Sequence, residues 1–270
     1  MPGKTLQDAD TGCCLTIAGS DSGGNAGIQA DLRAFHAYSL HGCTVFAALT
    51  AQNPFGVYAV HGVPADFVAA QLDAVLGVYD IRALKTGMLA DPAAIEVIAD
   101  RLSRHGEIAK VIDPVMVATS GARLVPPETI AAVLSRLVPL ATVVTPNIPE
   151  AEQIVGASGS PRELARRIFD AHGCAVLVKG GHGEGDEATD VLYDGRDFFE
   201  FAMPRIASPV STHGTGCSLA AALAAELALA RPLPDAVRGA KAYVHEAISS
   251  SYLVGAGGCG VLGFVRDPRR

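Results

Sequence analysis

Cys217 stands at the junction between a glycine-rich turn and a long alanine and leucine helix, in the run "STHGTGCSLAAALAAELALA" from Ser211 to Ala230. A helix start leaves several backbone N–H groups unpaired and carries about half a positive charge from the macrodipole. The amides of Gly214, Thr215, Gly216 and Cys217 can therefore hold an anion, and the bare glycines let a phosphoryl group approach the backbone. The same field favours a thiolate at Cys217, below the free value of about 8.5. Such a group beside an anion pocket can take a proton from an attacking hydroxyl. The competing reading is a small buried hydrophobe, the commonest fate of a free cysteine.

Other candidates follow apolar runs. Asp113 lies in "VIDPVM" and Glu150 in "TPNIPEAE". Asn147 and Glu150, three apart on a turn entering a helix, can present an amide and a carboxylate to the water shell that Mg²⁺ keeps. Taken alone, Glu150 reads as a helix-capping acid. Lys179 precedes Gly180 and Gly181, a placement suited to a point charge on a nucleotide phosphate or, more blandly, to a snorkelling side chain. The segment "GSDSGGNAGIQAD", 19–31, lacks the Lys-Ser or Lys-Thr of a Walker A loop and misses the GxGxxG spacing. On its own it reads as a flexible strand-to-helix turn.

The elements that must position these residues are short β-branched runs alternating with helical patterns. Strands are expected at 14–18, 44–49, 82–87, 110–115, 141–147 and 174–181, with a hairpin formed by "TDVLYDG" and "RDFFEFAM". Helices are expected after the first glycine loop, with Ile28, Leu32 and Phe35 on one face, and over 65–76, where Val68, Leu72 and Val75 face a core. Further helices are expected near 149–156, 160–171, 215–230 and 234–251. This alternation implies an α/β fold with a mostly parallel sheet covered on both faces. In such sheets ligands gather at the carboxyl ends of the strands. One domain is expected over 1–270, with 1–12 as an extension ahead of the first strand.

Composition sets the outer limits. The 270 residues are 49% hydrophobic and 18% charged, enough to bury a sizeable core. A formal charge of −7 gives no basic footprint, which argues against nucleic acid or an anionic membrane and for a small solute. Six cysteines without CxxC or metal-finger spacing point to reduced thiols in the cytoplasm. The first residues contain no apolar signal-peptide core. The longest apolar stretch, Leu219 to Ala230, is interrupted by Glu226 and is too short to span a bilayer.

Seven blocks occur in one order: "TIAGSDSGGNAGIQAD", "TAQNPFGV", "KTGMLAD", "DPVMVATSG", "TPNIPEAE", "VLVKGGH" and "HGTGCSLAAALA". In this the sequence resembles the hydroxymethylpyrimidine kinase / phosphomethylpyrimidine kinase family of thiamin biosynthesis, within the ribokinase-like superfamily. The likeness runs from about Leu15 to the glycines near 257–263. It implies a three-layer αβα sandwich and transfer of the γ-phosphoryl group of ATP to 4-amino-5-hydroxymethyl-2-methylpyrimidine, then of a second phosphoryl to the monophosphate. By resemblance Asp31 and Gln52 would hydrogen-bond the aminopyrimidine, Met88 and Val115 would sandwich the ring, and Gly19 would lie close to it.

The same resemblance places Asp113, Asn147 and Glu150 around Mg²⁺ and Lys179 near the phosphates. It makes Thr212 and Gly214 to Cys217 the anion hole, with Cys217 as base, and suggests a homodimer. Asn25 stands where a third small residue is usual and Pro54 where threonine is common. The stretch 118–127 is expected to form a flap, and no fused synthase domain is expected. Two alternatives are a pyridoxal or pyridoxine kinase, some of which carry a second cysteine where this chain has Ala118, and a non-catalytic pyrimidine sensor.

Overall fold

The computed structural model describes residues 12–116, 125–181, 185–255 and 257–263. The chain runs β1 (Cys13–Asp21), α1 (Gly27–Ala37), β2 (His41–Asn53), β3 (Gly56–Gly62), α2 (Ala65–Leu76), β4 (Ile81–Thr86), α3 (Pro92–Leu102) and β5 (Ala109–Ile112). It continues through α4 (Pro127–Ala132), β6 (Val143–Val144), α5 (Ile148–Val155), α6 (Pro161–His172), β7 (Ala175–Val178) and the hairpin β8 (Glu187–Tyr193) and β9 (Phe198–Pro204). Helices α7 (Thr215–Ala228) and α8 (Leu233–Ser249) and the small ribbon β10 (Tyr252–Val254) and β11 (Cys259–Val261) complete it.

Nine strands form one sheet in the order β3-β2-β1-β4-β5-β6-β7-β8-β9. The six from β2 to β7 are parallel, while β3 at one edge and β8 and β9 at the other run antiparallel. Side chains alternate between the two faces because successive Cβ atoms of a strand point opposite ways. Leu15, Ile17, Leu84, Ile112 and Val176 thus join a core with α2, α3, α5 and α6, whereas Cys14, Ala83, Val111 and Leu177 pack against α1, α7 and α8. These are the three layers expected from the alternation of patterns.

The chain leaves β1 toward β2 on one side and later returns to place β4 on the other. Strand order therefore reverses between β1 and β4, and such a reversal opens a crevice at the carboxyl ends of the strands. Gly19 to Asp21 and Lys85 to Met88 lie at this point. Helix starts reinforce the geometry. Asn147 and Ser160 form capping boxes with Glu150 and Glu163, and Asp91 caps α3. Gly214, at φ 88°, begins α7 without any side-chain cap, and in its first turn the Thr215 amide donates to the Thr212 carbonyl at 3.4 Å.

Several boundaries differ from the expectations. β1 and β2 run further than 14–18 and 44–49, because their polar ends pair in the sheet as well as their apolar middles do. Strand β3, mostly exposed, and helix α3 escape the pattern reading altogether. Of the expected flap, residues 118–124 lie outside the described residues, as do 1–11 of the expected N-terminal extension.

Candidate active site

Two loops meet over the crevice. The first follows β1, where Asp21 accepts hydrogen bonds from the amides of Gly23 at 2.8 Å, Asn25 at 3.0 Å and Ala26 at 2.8 Å. Burial alone would raise its carboxyl, but the His213 ring and those amides hold it below the usual range. His213, with Nε2 3.6 Å from Asp21 Oδ2, belongs to the second loop, 211–217. Gly214 packs directly on the Asn25 carbonyl, where a Cβ atom would collide. The glycine loop is thus a rigid wall, stitched to the start of α7.

Gln52, at the end of β2, faces the same space. Its side-chain nitrogen lies 3.5 Å from His213 Nε2, its Oε1 accepts from the Thr50 hydroxyl at 3.2 Å, and its backbone exchanges two bonds with Ser22. Met88 lies across Gly19, whose missing Cβ would stand 2.6 Å from the Met88 methyl carbon. Met88 and Val115 share a small apolar cluster with Ala48, Met116, Val125 and Ile130. Gly19, Gln52, Met88 and Val115 therefore combine an apolar wall with one amide bearing both donor and acceptor.

The phosphoryl end is built on three strand ends. Lys179, after β7, donates to Asp113 Oδ1 at 2.9 Å, an oxygen that also accepts from the Thr145 hydroxyl at 3.0 Å. The Lys179 ammonium reaches the uncapped turn of α7, 3.6 Å from where a Gly216 Cβ would be. An anion on those amides would meet this charge. Thr212 is exposed, and its carbonyl accepts from the Thr215 hydroxyl at 3.0 Å, which braces the turn.

Asn147 and Glu150 serve each other first. Asn147 Oδ1 accepts from the Glu150 amide and Glu150 Oε2 from the Asn147 amide, both at 2.9 Å, and Glu150 Oε1 lies 3.4 Å from the Met116 amide. The capping role weighed for Glu150 is thus realised. Burial pushes its carboxyl up and nearby Asp113 adds to this, against the pull of Lys179. Lys179 is ion-paired with Asp113, and its charge also acts on Glu150. No cluster of three or more His, Cys, Asp or Glu converges to chelate a metal among the described residues.

Asp31 is fully buried on α1, with the Thr16 hydroxyl 2.6 Å from Oδ2 and Lys85 Nζ at 3.1 and 3.0 Å from its two oxygens. The thiol of Cys217, expected below its free value, is shifted the other way. Burial pushes it above the ordinary range, with Asp31 and Asp113 adding to the rise and Lys85 and the Gly27 amide opposing it. Lys85 is the residue that sequence reasoning missed. A lysine inside the apolar run "RALKT" signals a buried partner, although it cannot say which.

Comparison with known proteins bears on the same residues. The family model described as phosphomethylpyrimidine kinase matches residues 21–262. The chain belongs to this family of kinases. The hydroxymethylpyrimidine/phosphomethylpyrimidine kinase of Rhizobium meliloti is 50% identical over 246 residues, covering 89% of this chain and 92% of that protein. Among solved structures, an ADP complex of Bacillus subtilis pyridoxal kinase superposes with a TM-score of 0.85 at 35% identity, covering 94% of this chain and 97% of that one. The phosphomethylpyrimidine kinase of Clostridium difficile gives 0.78 at 38% identity, over 88% and 100%. Membership fixes the fold as ribokinase-like and the chemistry as phosphoryl transfer from a nucleotide.

Proposed function

We propose that this chain passes the γ-phosphoryl group of ATP to the hydroxymethyl oxygen of 4-amino-5-hydroxymethyl-2-methylpyrimidine, and a second phosphoryl to the resulting monophosphate, as a step of thiamin biosynthesis. The observation that carries this reading is the uncapped first turn of α7, with the Lys179 ammonium over Gly216 and Cys217 on the same turn. A helix start without a side-chain cap and a nearby fixed cation suit a migrating phosphoryl group, whose transfer needs mostly positioning and charge stabilisation.

In this scheme Gln52 reads the aminopyrimidine edge, since an amide offers donor and acceptor together. Met88 and Val115 hold the ring faces, and Gly19 leaves room for it. Cys217 sulfur takes the hydroxyl proton as the oxygen attacks the γ-phosphorus; the bond to the bridging oxygen breaks and ADP leaves. Gly214, Thr215 and Gly216 hold the transferring group through their amides, Thr212 braces them, and Lys179 balances the charge. Asp113 and Glu150 would hold Mg²⁺ through its waters, with Asn147 fixing Glu150. When bound, the ion would neutralise phosphate charge.

Pyridoxal is the second substrate to weigh, because pyridoxal kinases superpose at TM-scores up to 0.86. The test is ADP release from Mg-ATP with the pyrimidine alcohol, its monophosphate and pyridoxal offered separately. Turnover with both pyrimidines is expected to exceed that with pyridoxal at least tenfold. Preference for pyridoxal would reassign the substrate, and pyrimidine binding without ADP would leave a sensor.

We further read the molecule as a cytoplasmic homodimer. All six cysteines are free thiols, which suits a reducing compartment. Edge strand β3 exposes Tyr58 and Val60, two apart along the strand, and the preceding turn exposes Phe55, apolar surface suited to a second copy. No described helix is long and apolar enough to cross a membrane.

A further inference from the structure

The ladder between β7 and β8 ends with Val178 opposite Val191, so the strand leaves the sheet immediately before Lys179. From there the backbone is held by other means. The Lys179 amide donates to the Pro146 carbonyl at 2.9 Å, on the β6 side. The Gly180 amide donates to Asp190 Oδ1 at 2.8 Å, on the β8 side. Gly180 also lies against the Thr189 carbonyl, where a Cβ atom would collide. A side-chain carboxylate thus grips the chain just where backbone pairing stops, one residue after the lysine whose ammonium reaches Asp113 and the start of α7.

Asp190 does not stand alone. Its second oxygen pairs with Lys241 Nζ at 2.8 Å, and both residues are buried. Lys241 is the one charged side chain in the buried row of α8, among Ala236, Val237, Ala240, Tyr243 and Val244. The fold alone does not require charge here, since well-packed apolar side chains commonly replace a buried ion pair at little cost. A carboxylate can do what an apolar side chain cannot, because it fixes the direction of a backbone amide through a charge-assisted bond. Lys241 in turn holds that carboxylate in place.

We propose that Asp190, held by Lys241, is a positioning residue for phosphoryl transfer: through the Gly180 amide it fixes the end of β7, so that the Lys179 ammonium stands beside Asp113 and the first turn of α7. The proposal rests on the role given above to Lys179, the balancing of charge on the migrating group. Neither Asp190 nor Lys241 makes or breaks a bond in the reaction. The pair acts only on where the lysine stands.

The test uses the full-length chain with two double variants, neither of which leaves an unpaired buried charge. Asp190→Asn/Lys241→Gln keeps an acceptor for the Gly180 amide and a hydrogen bond across the pair. Asp190→Leu/Lys241→Met keeps the volume and loses the acceptor. ADP release from Mg-ATP with the pyrimidine alcohol is measured alongside hydrogen exchange of the Gly180 amide and Tm. The apolar double should lose kcat on the order of tenfold or more, with KM for the pyrimidine within about twofold, because a displaced charge slows transfer without loosening the ring. Its Gly180 amide should exchange faster. The amide-bearing double should stay close to the native chain in both respects. Added to the apolar double, Lys179→Met should cost much less than it costs the native chain, since the two changes act through one ammonium.

Native kcat in the folded apolar double overturns the proposal. So does an equal loss in both doubles that follows Tm, the pattern of a merely structural pair. If the apolar double does not fold, Asp190→Glu replaces it, keeping the charge for Lys241 but carrying the acceptor one methylene out of place; native kcat there overturns the proposal as well. Lys179→Met alone tests the parent reading. Unchanged turnover in that variant overturns the role of Lys179 and this inference with it, whereas a loss there beside native kcat in the apolar double overturns this inference only.

Discussion

Cys217 is subject to two opposed influences, and under the proposed mechanism their balance sets its strength as a base. The start of α7 offers positive potential, yet the sulfur is half-buried and close to Asp31 and Asp113, so the thiol lies above its ordinary range. A base of that kind is mostly protonated near neutrality. Turnover should therefore climb as pH rises from about 7 to about 9, since even a free thiol ionises near ~8.5. A kcat profile flat across that interval would contradict the assignment. Cys217→Ala should lower kcat on the order of 10²-fold or more while leaving pyrimidine KM within about twofold, the signature of a proton acceptor lost without loss of binding. Asp21 carries a different prediction. Its folded value lies below an unfolded one of about 3.9, so its stabilisation is complete above that pH and is lost as pH falls through the folded value. Asp21→Asn should cost about 1–3 kcal/mol near neutrality and flatten the acid limb of a pH-dependent denaturation series.

The turn before α7 places these groups. Gly214 holds φ at 88° and abuts the Asn25 carbonyl, so Gly214→Ala meets both backbone strain and a collision. We expect a loss of about 1–3 kcal/mol from the conformation alone, or about 2–4 °C of Tm per kcal/mol, together with weakened ATP turnover. Gly62→Ala, in open space on β3, should stay within about 0.5 kcal/mol and serves as the control in the same thermal scan. Elements with local signatures were readable from the sequence: α2 spans the expected 65–76, and Ser160 with Glu163 announces α6. β3 was not, because an exposed edge strand need not alternate apolar and polar residues. In the site, the glycines, Asp113, Lys179 and Cys217 advertised themselves at strand and helix ends. The burial of Asp31 did not, since it depends on which face of α1 meets a lysine 54 positions away.

The crevice between β1 and β4 and the exposed edge of the sheet are joined by one element. β2 carries Gln52 near its end and pairs with β3, so the strand proposed to read the pyrimidine also supports the edge on which Phe55, Tyr58 and Val60 are exposed. Phe55 and Tyr58 are 70% and 69% exposed, an unfavourable placement for large side chains in a monomer that gathers several of them on one edge. A second copy on this face would cover them and hold the β2–β3 arm in place beside the site. Sedimentation velocity should then report a dimer for the native chain, and Tyr58→Asp with Val60→Asp should shift it to monomer, since burying two like charges at a twofold contact is costly. If the arm is steadied by that contact, the monomeric variant should show a raised KM for the pyrimidine with an unchanged KM for ATP, because Lys179 and the start of α7 lie on other elements. A native chain that sediments as a monomer at micromolar concentration would detach the apolar edge from catalysis and leave Gln52 ordered by Ser22 and Thr50 alone.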